Sequence, residues 1–102
     1  MKKIVLAAIL TFVTVFTFAD PPFGCYEGSS RYSRGRCAIQ VGGGDINVIG
    51  SDGTVIARWK IVSDNNGEMT VRSEAGVTKT ASWWREDGEV YINFGYETYK
   101  HL

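Results

Sequence analysis

Beyond Ala38, hydrophobic and polar residues alternate with a period of two, in short runs separated by glycine-containing turns. Val55, Ala57, Trp59 and Ile61 share one side of their run, against Thr54, Arg58 and Lys60 on the other. In the last run Val90, Ile92, Phe94 and Tyr96 oppose Glu89, Asn93 and Glu97, while Ile46 with Val48 and Met69 with Val71 extend the same apolar surface. Successive side chains of a strand point to opposite faces, whereas an amphipathic helix repeats its apolar positions every three or four residues. The pattern therefore predicts strands over residues 24–27, 38–41, 45–49, 54–62, 68–73, 77–85 and 89–99. Between them lie Gly42-Gly43-Gly44, Ser51-Asp52-Gly53, Asp64-Asn65-Asn66-Gly67, Glu74-Ala75-Gly76 and Glu86-Asp87-Gly88. Asn-Gly and Asp-Gly pairs suit the positive φ angles of tight hairpin turns. Consecutive hairpins make an antiparallel up-and-down meander. Six or seven twisted strands with one apolar face bury it best by curling into a small barrel, with a two-sheet β-sandwich as the alternative. Gly95, inside the last run, predicts a bend or bulge that lets the sheet curve.

The N-terminal region follows a different pattern. Lys2 and Lys3 precede an uncharged apolar run, Ile4 to Phe18, which is interrupted only by Thr11, Thr14 and Thr17. Thr17-Phe18-Ala19 places small residues at the −3 and −1 positions of a cleavage site, and Asp20-Pro21-Pro22 ends the run. This is the tripartite form of a secretory signal peptide, a helix over residues 1–19 that is removed on export. A permanent transmembrane span needs about 20 apolar residues, so the mature form is expected to have none. The rival is a lipoprotein leader acylated at Cys25, which Gly24 precedes. Pro22 stands where such signals want a leucine-like residue, and acylation would leave Cys37 unpaired. Residues 20–102 form a single domain, and an exported domain can hold a Cys25–Cys37 disulfide. So short a chain buries only about 60 to 65% of its unfolded surface, so one covalent staple matters. The expected location is the periplasm or the exterior.

Charge narrows the choice of partner. The full chain carries 11 Lys and Arg against 11 Asp and Glu, and loss of Lys2 and Lys3 leaves the mature domain slightly acidic. That balance gives no electrostatic case for nucleic acid or an anionic membrane. Reactive chemistry is sparse as well. The one histidine, His101, is the penultimate residue, so no Ser/His/Asp arrangement assembles without a group at the chain terminus. Pairing of the cysteines removes a thiolate nucleophile or metal ligand. Glu86, Asp87 and Glu89 cluster around a turn glycine, where they are solvated with no pocket to raise one of them. Asp64-Asn65-Asn66-Gly67-Glu68 lacks the alternating ligands of a calcium loop, and Gly42-Gly43-Gly44 lacks the following Lys and helix of a phosphate loop. Neither an enzyme nor a metal or cofactor is expected.

Two features point to binding. Arg31, Tyr32, Arg34 and Arg36 lie on a loop bounded by Cys25 and Cys37, where a cross-link lowers the ordering cost of multidentate donors. Trp84, Tyr91 and Tyr99 fall on the face opposite the apolar one and are expected to form an exposed aromatic strip, unless Phe23 and Tyr26 fold across it. The expected function is a small, exported, non-catalytic binding protein. Its partner would be another extracytoplasmic protein or a glycan, and inhibition of a macromolecule such as a cell-wall hydrolase fits best. In size, barrel form and disulfide the chain is similar to bacterial periplasmic inhibitors of lysozyme, an architectural likeness that no shared motif carries. Two alternatives remain: a minimal lipocalin-like carrier lined by Trp59, Phe94 and Tyr96, and an assembly protein pairing through a strand edge.

Overall fold

The structure is a computed structural model that describes residues 21–102, so the expected leader and its cleavage site lie outside the described residues. Eight strands follow in order: β1 (Gly24–Gly28), β2 (Ile39–Gly42), β3 (Asp45–Ile49), β4 (Val55–Asn65), β5 (Glu68–Ser73), β6 (Thr78–Glu86), β7 (Glu89–Phe94) and β8 (Glu97–His101). Each pairs antiparallel with its sequence neighbour, and β8 pairs with β1 through Tyr26↔His101, Glu27↔Lys100 and Gly28↔Tyr99. The meander thus closes into a barrel, as the alternation predicts, but with eight strands.

The additional strand comes from the chemistry of one turn. Residues Gly43-Gly44, Asn66-Gly67 and Asp87-Gly88 each have positive φ at both positions, the signature of type I′ hairpins, which match the twist of the flanking strands. Gly95 also has positive φ, at 68°, while Tyr96 does not, and Phe94 pairs directly with Glu97. Gly95-Tyr96 is therefore a two-residue turn with glycine at its first position, and it splits the run expected over residues 89–99. The consequence for orientation is large. Alternation restarts at Glu97, so Tyr99 turns inward beside Ile92, and Tyr96 sits fully exposed on the turn. The expected outward Tyr99 and inward Tyr96 are both corrected by this inversion.

The core consists of inward residues from six strands, Tyr26, Ile39, Val41, Ile46, Met69, Val71, Ala81, Val90, Ile92 and Phe94, and Val48, Trp59, Ile61, Trp83 and Tyr99 packed against them bring in β4 and β8. Two irregularities in β4 redirect its side chains. A register shift between Val48 and Ile49 of β3 leaves Val55 outside the core, 45% exposed, where alternation places it within. A second shift, between Ile61 and Ser63, brings Asp64 opposite Met69, on the inner face. There its carboxylate accepts hydrogen bonds from the Trp83 indole Nε1 at 2.8 Å and from the Gly67 amide at 2.9 Å. The Gly67 carbonyl in turn accepts the Trp83 amide, and a Cβ on Gly67 would lie 2.6 Å from the Trp83 carbonyl oxygen.

The two ends of the barrel differ. One carries the three type I′ turns together with Pro21 and Leu102. The other, the open end, carries the longer connections after β1, β3 and β5 and the Gly95-Tyr96 turn. Longer connections on a rigid barrel are the usual place for recognition.

Candidate functional site

The connection between β1 and β2 dominates the open end. The Cys25–Cys37 disulfide joins its base, with the two Cα atoms 5.0 Å apart. Within it the Gly28 amide donates to the Ser33 carbonyl and the Ser33 amide to the Ser30 carbonyl, each near 3.0 Å. Glu97, the first residue of β8, reaches into this loop: its carboxylate accepts the Ser30 amide at 2.9 Å and the Ser33 hydroxyl at 2.5 Å. Partial burial acts to raise the pKa of Glu97, but hydrogen bonds from Ser33, Ser30 and Tyr99 outweigh it and hold the carboxyl below the usual range. Gly28 is required at this junction, since a Cβ there would collide with the Ser33 hydroxyl and the Glu97 carboxylate. On the far side the Gly35 amide donates to the Glu27 carboxylate at 2.6 Å.

The four loop residues singled out by sequence have different surroundings. Arg36 turns back into the protein: its Nε donates to the Tyr32 carbonyl at 2.9 Å, and its Nη1 reaches the carbonyls of Ile49 and Gly50 at 3.4 and 3.3 Å. It ties the loop to the end of β3. Arg34 donates to the Ser29 carbonyl at 3.3 Å yet stays exposed. The Arg31 guanidinium lies 5.2 Å from the Tyr32 ring centroid, and Tyr32 is 75% exposed. Arg31, Tyr32 and Arg34 thus face solvent from a loop braced by Arg36 on one side and Glu97 on the other. Because Glu97 follows Tyr96 directly, the same bonds bring a second exposed tyrosine beside the loop.

Below this rim lies the mouth of the barrel. An open cleft of about 400 Å³ is bounded by Ser29, Ser30, Val48, Phe94, Tyr96 and Tyr99. Burial and then the neighbouring Glu97 charge push the Tyr99 phenol up to about 12. Phe94 meets Trp59 edge to face, with centroids 5.6 Å apart, and the Lys79 ammonium sits over both rings, 4.9 Å from Trp59 and 5.8 Å from Phe94.

The aromatic strip is reduced to two members. Trp84 and Tyr91 are cross-strand partners whose rings stack at 5.6 Å and 21° on the outer wall, and Tyr99 is absent from it. In register across the sheet, Tyr91 is followed by Lys100 and Lys100 by Glu27, which form an ion pair at 3.8 Å. Nor does the N-terminal segment cover the pair: Tyr26 belongs to the core, its hydroxyl donating to the Pro22 carbonyl at 2.7 Å, and Phe23 is 68% exposed.

His101 is placed in β8, not on a loose end. Its Nε2 is 3.0 Å from the Phe23 carbonyl oxygen and its ring meets Tyr26 edge on at 4.7 Å, so it fastens the first described residues to the barrel. Glu86 and Glu89 pair across the Asp87-Gly88 turn, and all three acidic residues there are exposed. Among the described residues no three His, Cys, Asp or Glu side chains gather as a metal ion would require.

Lys79 and Glu97 did not stand out in the sequence, and Tyr96 stood out only as an inward-facing ring. The signal was available for Tyr96, because a Gly-X pair inside an eleven-residue alternating run is a II′-turn signature as well as a bulge. For Lys79 and Glu97 it was not, since each gains its meaning from partners distant in sequence. Compared with protein-family models, curated proteins and solved structures, the chain matches none.

Proposed function

We propose that this protein is a small exported binding protein without catalytic activity, and that the braced loop presenting Arg31, Tyr32 and Arg34, with Tyr96 beside it, is its docking surface. The observation that carries the reading is the bracing. A loop held by a disulfide, by Glu97 and by Arg36 is ordered before contact, so association spends little on immobilising it. Arginine and tyrosine are the residue types that concentrate binding energy at interfaces. Two exposed guanidinium groups beside two exposed tyrosines suit an acidic, ring-lined cleft. Cell-wall hydrolases have this kind of cleft, since glycoside hydrolysis commonly uses a pair of carboxylates flanking the scissile bond. Export is supported by the N-terminal pattern, and the disulfide is compatible with an oxidising, extracytoplasmic compartment.

The test is inhibition. The exported protein is titrated against peptidoglycan-cleaving muramidases, with turnover of suspended cell wall as the readout. Inhibition should weaken at least tenfold in the R31Q/R34Q variant and fall with added salt. A protein that inhibits no such enzyme, or a double variant as potent as the parent, overturns the reading. Intact mass of the recovered protein checks the address, an Asp20 start with both cysteines oxidised being the expected species.

A further inference from the structure

We infer that a trough on the outer wall of the barrel, over β8, binds a sugar ring that bears a carboxylate, with the ring stacked on Tyr91 and the carboxylate held by Lys100 and Arg34. The trough shares Arg34 with the loop surface but does not rest on the inhibition proposed for it. Its first support is the arrangement of the wall. Trp84, Tyr91, Lys100 and Glu27 stand in one row across β6, β7, β8 and β1, each directly opposite the next. Trp84 covers one face of the Tyr91 ring, with centroids 5.6 Å apart. The other face turns toward β8, where Tyr91, Thr98, Lys100, Glu27 and Arg34 border an open groove of about 360 Å³. A groove of this size takes one or two sugar rings.

The second support is the chemistry of the wall and floor. An aromatic face carries the negative part of the ring quadrupole, which attracts the polarised C–H groups on the flat side of a sugar. Tyr91 is half-buried and already packed against Trp84, so binding orders it little further. Thr98, the short residue before Tyr99 on β8, is the floor. Its Oγ1 accepts from the Asn93 amide group at 3.3 Å, which leaves the hydroxyl hydrogen to donate to a sugar oxygen.

The third support is charge. The groove has two cations and one carboxylate, and both oxygens of that carboxylate are engaged: Glu27 Oε1 accepts the Gly35 amide at 2.6 Å, and Oε2 faces the Lys100 ammonium at 3.8 Å. So long a contact leaves Lys100, whose side chain is 43% exposed, with N–H donors to offer a ligand. Arg34 donates to the Ser29 carbonyl and has no ion-pair partner among the described residues. A planar carboxylate matches the guanidinium fork and balances the surplus positive charge. A neutral sugar leaves that charge unmatched, and an acidic peptide leaves the free face of Tyr91 unused.

The experiment is an NMR titration with 4-O-α-galacturonosyl-galacturonate and with α-1,4-galactobiose, its neutral counterpart carrying hydroxymethyl groups in place of the carboxylates. The exported protein should bind the acid about fivefold more tightly, as one solvent-exposed but doubly held carboxylate implies. The Tyr91, Thr98 and Lys100 amides should shift, and those of Tyr96 and Asp87 should not. K100Q/R34Q should bind both sugars alike, and R31Q should behave as the parent does. Y91L, checked for an unchanged fold by circular dichroism, should lose both sugars, and K100Q/R34Q tests the site even if Y91L does not fold. Tetraglutamate, which offers carboxylates without a sugar ring, should bind at least fivefold more weakly than the acidic sugar. Absence of binding, equal affinity of the parent for the two sugars, a preference kept by K100Q/R34Q, binding kept by folded Y91L, or tetraglutamate matching the acidic sugar would each overturn the assignment. Muramidase inhibition is a separate readout, so the loop reading and this one fail independently.

Discussion

Replacing Glu97 tests the idea that a single carboxylate locks the recognition loop to the barrel. In E97A the two hydrogen bonds from the loop to a charged acceptor disappear, as does that from the Tyr99 hydroxyl, which borders the open cleft and can turn to water. Each would contribute about 1.5 to 3 kcal/mol if fully desolvated. The Ser30 amide is exposed and can turn to water, and the buried Ser33 hydroxyl keeps Ser30 as a partner, its Oγ 2.7 Å from that of Ser30. Neither donor is stranded, so the loss is about 2 kcal/mol rather than the sum, or roughly 10 °C in melting temperature for a domain of this size. E97Q keeps an acceptor of the same shape and loses only the charge, which implies about 1 kcal/mol. The pH dependence separates charge from packing. Glu97 has a folded pKa below its ordinary value of 4.5, so its contribution is complete above that value and is lost as pH falls through the folded one. Urea unfolding at neutral pH and at about pH 3 should show the parent losing more stability than E97Q. Asp52, also lowered by hydrogen bonds from Thr54, titrates in both proteins and cancels in the comparison. Equal acid sensitivity in parent and E97Q would refute the argument.

Three further outcomes follow from the same geometry. G67A should cost about 2 to 3 kcal/mol in urea unfolding, since the added Cβ meets a backbone oxygen at a φ of 96°, whereas G43A, with open space at its Cβ, should cost about 1 kcal/mol. D64A should destabilise by about 2 kcal/mol and alter the near-ultraviolet dichroism of Trp83, and D64N should recover only part of either, because its single amide oxygen can accept from the indole or from the Gly67 amide but not from both. Reducing the disulfide opens a short loop and should lower stability by about 3 kcal/mol, read as a drop in the melting temperature with a phosphine reductant.

The strand pattern, the positions of three I′ turns and the pairing of the only two cysteines were legible from local chemistry. Period-two alternation and Asn-Gly, Asp-Gly or Gly-Gly pairs act within a few residues, and two cysteines allow one intrachain bond. What needed the folded chain was everything set by registry. Gly95 reads equally as a bend or a turn until Phe94 is found opposite Glu97, and that pairing sends Tyr99 into the barrel and Tyr96 out of it. The bulge that turns Asp64 toward Trp83, and the approach of Arg36 to the carbonyls of Ile49 and Gly50, likewise depend on neighbours across the sheet. Sequence alone thus determined that this chain makes a disulfide-stapled meander with an arginine-rich loop. Pairing and curvature of the sheet decided which of those arginines is structural, Arg36 reaching the end of β3, and brought Lys79 of β6 over the rings of Trp59 and Phe94. A strand alternates from its own residues, but its phase relative to the others is set only when the hydrogen bonds of the whole barrel are made together.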